Sequence, residues 1–77
     1  MGPDATSAVD AARVAALTPR ERDVLILTAK GFGWKDIARR LGTTRNMVQN
    51  HRQDVYRKLE VGGACEASVV AAKAGIV

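Results

Sequence analysis

The stretch from Thr43 to Val61, TTRNMVQNHRQDVYRKLEV, decides how the rest of the chain is read. Thr44 suits an N-cap, because its hydroxyl can accept from a free first-turn N–H. A helix is then expected from Arg45 to about Glu60. Val48, His51, Val55 and Leu59 fall on one stripe at helical spacing. At about 100° per residue, the opposite side carries Asn46, Gln49, Asn50, Gln53 and Arg57. That outer face holds four carboxamides and one guanidinium and no acid, with Asp54 off to the side. A carboxamide donates and accepts at once, which matches the paired N6–H and N7 that adenine shows in a major groove. An ordinary solvated face would mix Glu with Lys. On this stretch alone, a DNA-reading face and a merely polar one stand level. The rest of the chain decides between them.

Immediately upstream, a second helix is expected from about Trp34 to Leu41, with Ile37, Ala38 and Leu41 inward and Lys35, Arg39 and Arg40 outside. Gly42 closes it and Thr43-Thr44 leads into the long helix. Two helices joined by a short Gly-containing turn form the helix-turn-helix pattern. In it the first helix crosses the DNA backbone and the second enters the major groove. Further back, Thr18-Pro19-Arg20-Glu21 is a strong helix start. Thr18 is the N-cap, Pro19 the tolerated first position and Glu21 the reciprocal partner of a capping box. That helix should reach about Lys30, with Val24, Leu25, Leu27 and Thr28 inward and Gly31 ending it. Phe32-Gly33-Trp34 connects it to the next.

Both ends are plainer. Residues 1–16 are expected to be an extension or linker, helical from Ala8 to Ala16, with Val9, Ala12 and Ala16 making a thin apolar stripe. Residues 17–77 are expected to form the domain proper. After Leu59, Gly62 and Gly63 break the chain. A last helix from Ala64 to about Ala74 turns Ala67, Val70, Ala71 and Ala74 to one side. Val69, Ala72 and Ile76 lie off that stripe, and a helix apolar on more than one side is either covered or meets a partner.

With 77 residues the chain makes one domain around one small core. Hydrophobic content of 47% is that of a globular chain, and with three aromatics the core must be built from Leu, Ile, Val and Ala. The net charge of +4 is concentrated. Residues 18–61 hold ten Lys and Arg against five acids, which suggests a polyanion partner. No apolar run reaches membrane-spanning length and no signal-like segment opens the chain. One cysteine makes no internal disulfide, which fits a cytoplasmic protein. With one His and one Cys, no zinc site, other metal or cofactor is expected. His51 reads as a packed residue and Cys65 as a small helix residue, and no constellation suggests an enzyme.

LTPRERDVL at 17–25, Gly31, KDIARRLG at 35–42, MVQNHRQDVYRKLEV at 47–61 and a last helix near CEASVV occur in order without gaps. From Leu17 to Val77 the chain resembles the LuxR-type domain, also called GerE-type or FixJ-type, of bacterial transcription regulators. The resemblance implies an all-α, compact four-helix helix-turn-helix domain whose third helix reads double-stranded DNA. It also implies that two copies pair through the last helix. Carried over position by position, base reading falls on Gln49, Asn50 and Gln53, with Asn46 beside them on the same face. Phosphate contacts fall on Thr44, Arg45, Lys35, Arg40, Arg57 and Lys58. The dimer contact is expected at Val69, Ala72 and Ile76. Met47 and Gln49 stand where the family often has Thr and Lys. Glu60 replaces a common Gly or Asn, and Ala64 a frequent Arg, so the target can differ. The alternative is a protein-interaction module of the same type, contacting RNA polymerase or another regulator as a sigma-factor region does.

Overall fold

The computed structural model describes residues 10–76, which form five helical segments and no strand. They are α1 (residues 10–15), α2 (Pro19–Ala29), α3 (Trp34–Leu41), α4 (Arg45–Leu59) and α5 (Ala64–Lys73). The fold is thus the expected all-α domain, four helices with a short helical extension before them.

The punctuation follows from local chemistry. Thr18 Oγ1 accepts from the Glu21 N–H at 3.1 Å, and Glu21 Oε1 accepts from the Thr18 N–H at 3.0 Å, completing the capping box before α2. Pro19 occupies the first turn, where its missing donor costs nothing. At the end of α3, Gly42 takes φ 67°, and the next N–H, on Thr43, bonds Ala38 O at 2.9 Å. Thr44 then caps α4, its Oγ1 accepting from the Met47 N–H at 3.2 Å. The far end of α4 departs from this economy. Glu60 terminates the helix in the left-handed region, at φ 58° and ψ 46°. A side chain is strained there and glycine is not.

The core is divided between two clusters, and α4 belongs to both. Val48 packs with Val24, Ile37 and Ala38 under Leu27, Phe32, Trp34 and Leu41. Val55 and Leu59 pack with Val14, Leu17, Leu25, Ala67, Val70 and Ala71. The N-terminal half of α4 is therefore held by α2 and α3, and its C-terminal half by α1, α2 and α5. Gripped at both ends, α4 presents its outer face at a fixed angle. Leu59 is fully buried, and a Leu→Ala truncation at such a site costs about 2–5 kcal/mol.

The N-terminal segment corrects one expectation. Ala12 and Ala16 are exposed, and Val9 lies outside the described residues. The buried residues are Val14 and Leu17. Val14, the one β-branched side chain among the described residues of the segment, and the leucine after it, rather than the smaller alanines, supply the area worth burying. Arg13 strengthens the docking, donating from Nη1 to Leu59 O at 3.4 Å and lying 3.5 Å from the Glu60 carboxylate. α1 thus reaches the C-terminal end of α4, a contact between residues 46 apart that no periodicity announces. Smaller shifts occur elsewhere. Leu27, Thr28 and Leu41 are half-buried rather than enclosed, as is His51.

Candidate nucleic-acid interface

Asn46, Gln49, Asn50 and Gln53 are all exposed on one side of α4, and Arg57 continues their line. None of the four carboxamides is hydrogen-bonded to another side chain among the described residues. Their donors and acceptors therefore face solvent. Along the helix, at about 1.5 Å per residue, Asn46 to Arg57 spans about 16 Å, enough to follow several base pairs. The face is not wholly free of acid. Asp54, half-buried at its edge, holds the Arg57 guanidinium at 2.8 Å. An exposed pair of this kind holds by about 0.3–0.5 kcal/mol, so Arg57 can exchange it for a stronger anion.

Two of the cations beside this face are fixed by aromatic rings. The Arg45 guanidinium lies 3.9 Å from the Trp34 ring centroid, and that of Arg40 lies 4.0 Å from the Phe32 ring. Stacking orders each guanidinium through its face and leaves its edge N–H groups free for an anion. In the sequence, Phe32 and Trp34 read only as part of the connector between two helices. Both border the inner cluster, and each also carries an arginine on its outer surface. An aromatic in the turn between two basic helices is the signal that could have suggested this. Lys35 and Thr44 are exposed near the same turn. Arg20, exposed on α2, donates to Leu41 O at 3.4 Å and so satisfies the end of α3.

Lys58, expected on a phosphate, has a partner within the fold. Its Nζ lies 2.8 Å from Glu21 Oε1, across 37 residues of chain, and ties α4 to the first turn of α2. The two ends are unequal. The Lys58 side chain is 37% exposed and that of Glu21 6%. Burial pushes the Glu21 carboxyl up, but the Lys58 hydrogen bond, the Thr18 backbone N–H, the Lys58 charge and the Thr18 hydroxyl together outweigh it. Its pKa ends below the ordinary value. The Lys58 ammonium is thus paired within the fold.

On α5, Val69 is 52% exposed, the more exposed of the two large apolar side chains that face solvent among the described residues, Met47 being the other. Ala72 is exposed next to it, but Ile76 is half-buried and packs on the core. Of the three residues expected at a dimer contact, Val69 and Ala72 share an open surface and Ile76 only borders it. Cys65 is free and exposed. Among the described residues no group of three His, Cys, Asp or Glu is arranged to hold a metal, and no helix is long and apolar enough to cross a membrane.

The model of bacterial regulatory proteins of the luxR family matches residues 15–71. The nitrate/nitrite response regulator protein NarL of Escherichia coli (strain K12) is 45% identical over 53 residues, which cover 69% of this chain and 24% of NarL. The oxygen regulatory protein NreC of Staphylococcus carnosus (strain TM300) is 38% identical over 60 residues, covering 78% of this chain and 27% of NreC. Full-length FixJ from B. japonicum, in its crystal structure, superposes with a TM-score of 0.87 at 32% identity, over 97% of this chain and 37% of FixJ. The chain therefore spans about a quarter of the length of NarL and NreC. With the family model covering most of the chain, and α2 to α5 in the matching arrangement, the chain belongs to the LuxR family of bacterial regulatory proteins and carries its helix-turn-helix domain.

Proposed function

We propose that this chain is the sequence-specific DNA-binding domain of a bacterial transcription regulator. α4 enters the major groove, with Gln49, Asn50 and Gln53 on base edges and Asn46 beside them. The observation that carries this reading is the outer face of α4. Four carboxamides stand exposed with no side-chain partner among the described residues, beside two arginines already ordered on aromatic rings. Such groups are free to exchange their bonds to water for bonds to base edges. Thr44, Arg45, Lys35, Arg40 and Arg57 contact the flanking phosphates. Lys58 contributes little, because Glu21 already holds it.

One such domain buries only about 600–1,000 Å² on DNA, so one copy binds weakly. Two copies on half-sites about one helical turn apart supply both affinity and site length. Val69 and Ala72 of α5 form the contact between copies, with Ile76 at its edge. RNA polymerase, as a further partner, would meet a surface away from α4.

The test is selection of bound sequences from random duplexes, followed by titration at several salt concentrations. The reading requires an enriched motif and an affinity that falls steeply with salt. Four cations on phosphates give a log–log slope on the order of −4 per copy. Binding without enrichment, or without salt dependence, would favour the protein-interaction alternative.

A further inference from the structure

Arg52 stands between Gln49 and Gln53 in the chain, and with them and Tyr56 it lines an open groove on the flank of the base-reading face. It is half-buried rather than waving in solvent. Its Nε and Nη2 both donate to the Tyr56 hydroxyl oxygen, at 3.2 and 2.9 Å. The guanidinium carbon lies 5.8 Å from the Tyr56 ring centroid, so the grip is on the hydroxyl end and not on the ring face. Tyr56 itself is anchored, half-buried against the cluster of Val55 and Leu59.

A guanidinium has five N–H donors in one plane. The two bonds to Tyr56 use one edge. The end-on pair, one N–H from each terminal nitrogen, is left over, and no carboxylate pairs with Arg52 among the described residues. The Tyr56 oxygen has accepted twice, so its own hydrogen remains to be donated. The groove beside Gln49 and Gln53 thus offers a fixed fork made only of donors. In the major groove, the base edge that presents two acceptors side by side is guanine, through N7 and O6.

We propose that Arg52, held in plane by Tyr56, is a base-reading residue that takes a guanine adjoining the step read by the carboxamides. The proposal rests on the DNA-binding reading above. Guanine is favoured over a phosphate by the fixing of the fork. A phosphate accepts a cation from many directions, whereas bidentate contact with a base edge requires the guanidinium to lie in the plane of the base. The family resemblance assigns nothing to this position, and the helical wheel leaves it on the flank, between the buried stripe and Gln49.

The test uses the whole chain and the duplex enriched by selection, with 7-deazaguanine replacing each guanine in turn. One position should lose about 5- to 100-fold in affinity. Arg52→Lys, which keeps the charge and removes the fork, should lose as much on the normal duplex and nothing more on that modified one. Its binding to random DNA should not change. Tyr56→Phe, which keeps the ring in the core, should lose a smaller part at the same base pair. Equal weakening of Arg52→Lys on selected and random DNA would make Arg52 a phosphate contact and overturn the proposal. So would tolerance of 7-deazaguanine at every position. If the unaltered chain binds no DNA, the broader reading fails first, a result distinct from binding that ignores Arg52.

Discussion

Replacing Lys58 with methionine removes an ammonium but keeps most of the stem that packs beside α2. The Glu21 carboxylate, 6% exposed, then keeps the Thr18 N–H and hydroxyl and loses its one cation. A charge-assisted hydrogen bond contributes about 1.5–3 kcal/mol. Breaking a wholly buried pair costs about 3–5 kcal/mol, but Lys58 is over a third exposed, which discounts that figure. A loss of about 2 kcal/mol at neutral pH is expected, or roughly 8–16 °C in Tm for a domain of this size. The reverse change is milder. Glu21→Gln keeps an acceptor for the Thr18 N–H and lets Lys58 turn to water, so about 1 kcal/mol is expected. The pH dependence follows from the lowered pKa of Glu21. Because the folded value lies below the unfolded one, the stabilisation is present at neutral pH and is lost as pH falls through the folded value. In Lys58→Met, two of the causes that lower the Glu21 pKa are removed, so the shift is smaller. The gap between wild type and variant should therefore close in acid, below the ordinary carboxylate range. Urea unfolding followed by circular dichroism at both pH values measures it. A Lys58→Met variant within 0.5 kcal/mol of wild type at neutral pH, or a gap that does not change in acid, would refute the reasoning.

Glu60→Gly should raise stability by about 0.5–1 kcal/mol in the same unfolding assay, since relief of the left-handed strain exceeds the added chain entropy and the weak Arg13 pair. In salt titrations of DNA binding, Arg45→Ala and Arg40→Ala should each reduce the slope by about one unit. Lys58→Met should leave it nearly unchanged, and Trp34→Leu should weaken binding without unfolding the domain. Val69→Glu should abolish cooperative binding to a two-half-site duplex while single-site binding survives, as read by gel mobility and by ultracentrifugation on DNA.

The parts of the fold that were legible in the sequence are those fixed by local chemistry. Thr18 with Glu21, Thr44, Gly31 and Gly42 mark helix ends because caps and left-handed turns demand particular side chains within three or four residues. The stripe of Val48, Val55 and Leu59 gave the phase of α4, and with it the outward position of Asn46, Gln49, Asn50 and Gln53. What the sequence hid depends on tertiary contact. Lys58 and Glu21 meet only because α2 and α4 cross, and each alone looks like a surface charge. Arg45 on Trp34 and Arg40 on Phe32 meet across turns, where no helical period applies. The phase of α1 was lost because alanines fit either face of a helix. Only the packing shows that Val14, not Ala12 and Ala16, is the apolar residue of α1 that lies inside. Ile76 was assigned to an outer surface from spacing alone, but the chain turns after Lys73 and folds it back on the core.

The central claim is that the carboxamide face of α4 reads base edges. It is tested most directly by comparing the affinity of Asn50→Ala for the selected duplex and for random duplex at one salt concentration. The account predicts a loss of about 1–3 kcal/mol on the selected duplex and almost none on random DNA. Equal losses on the two, or no loss on either, would contradict it.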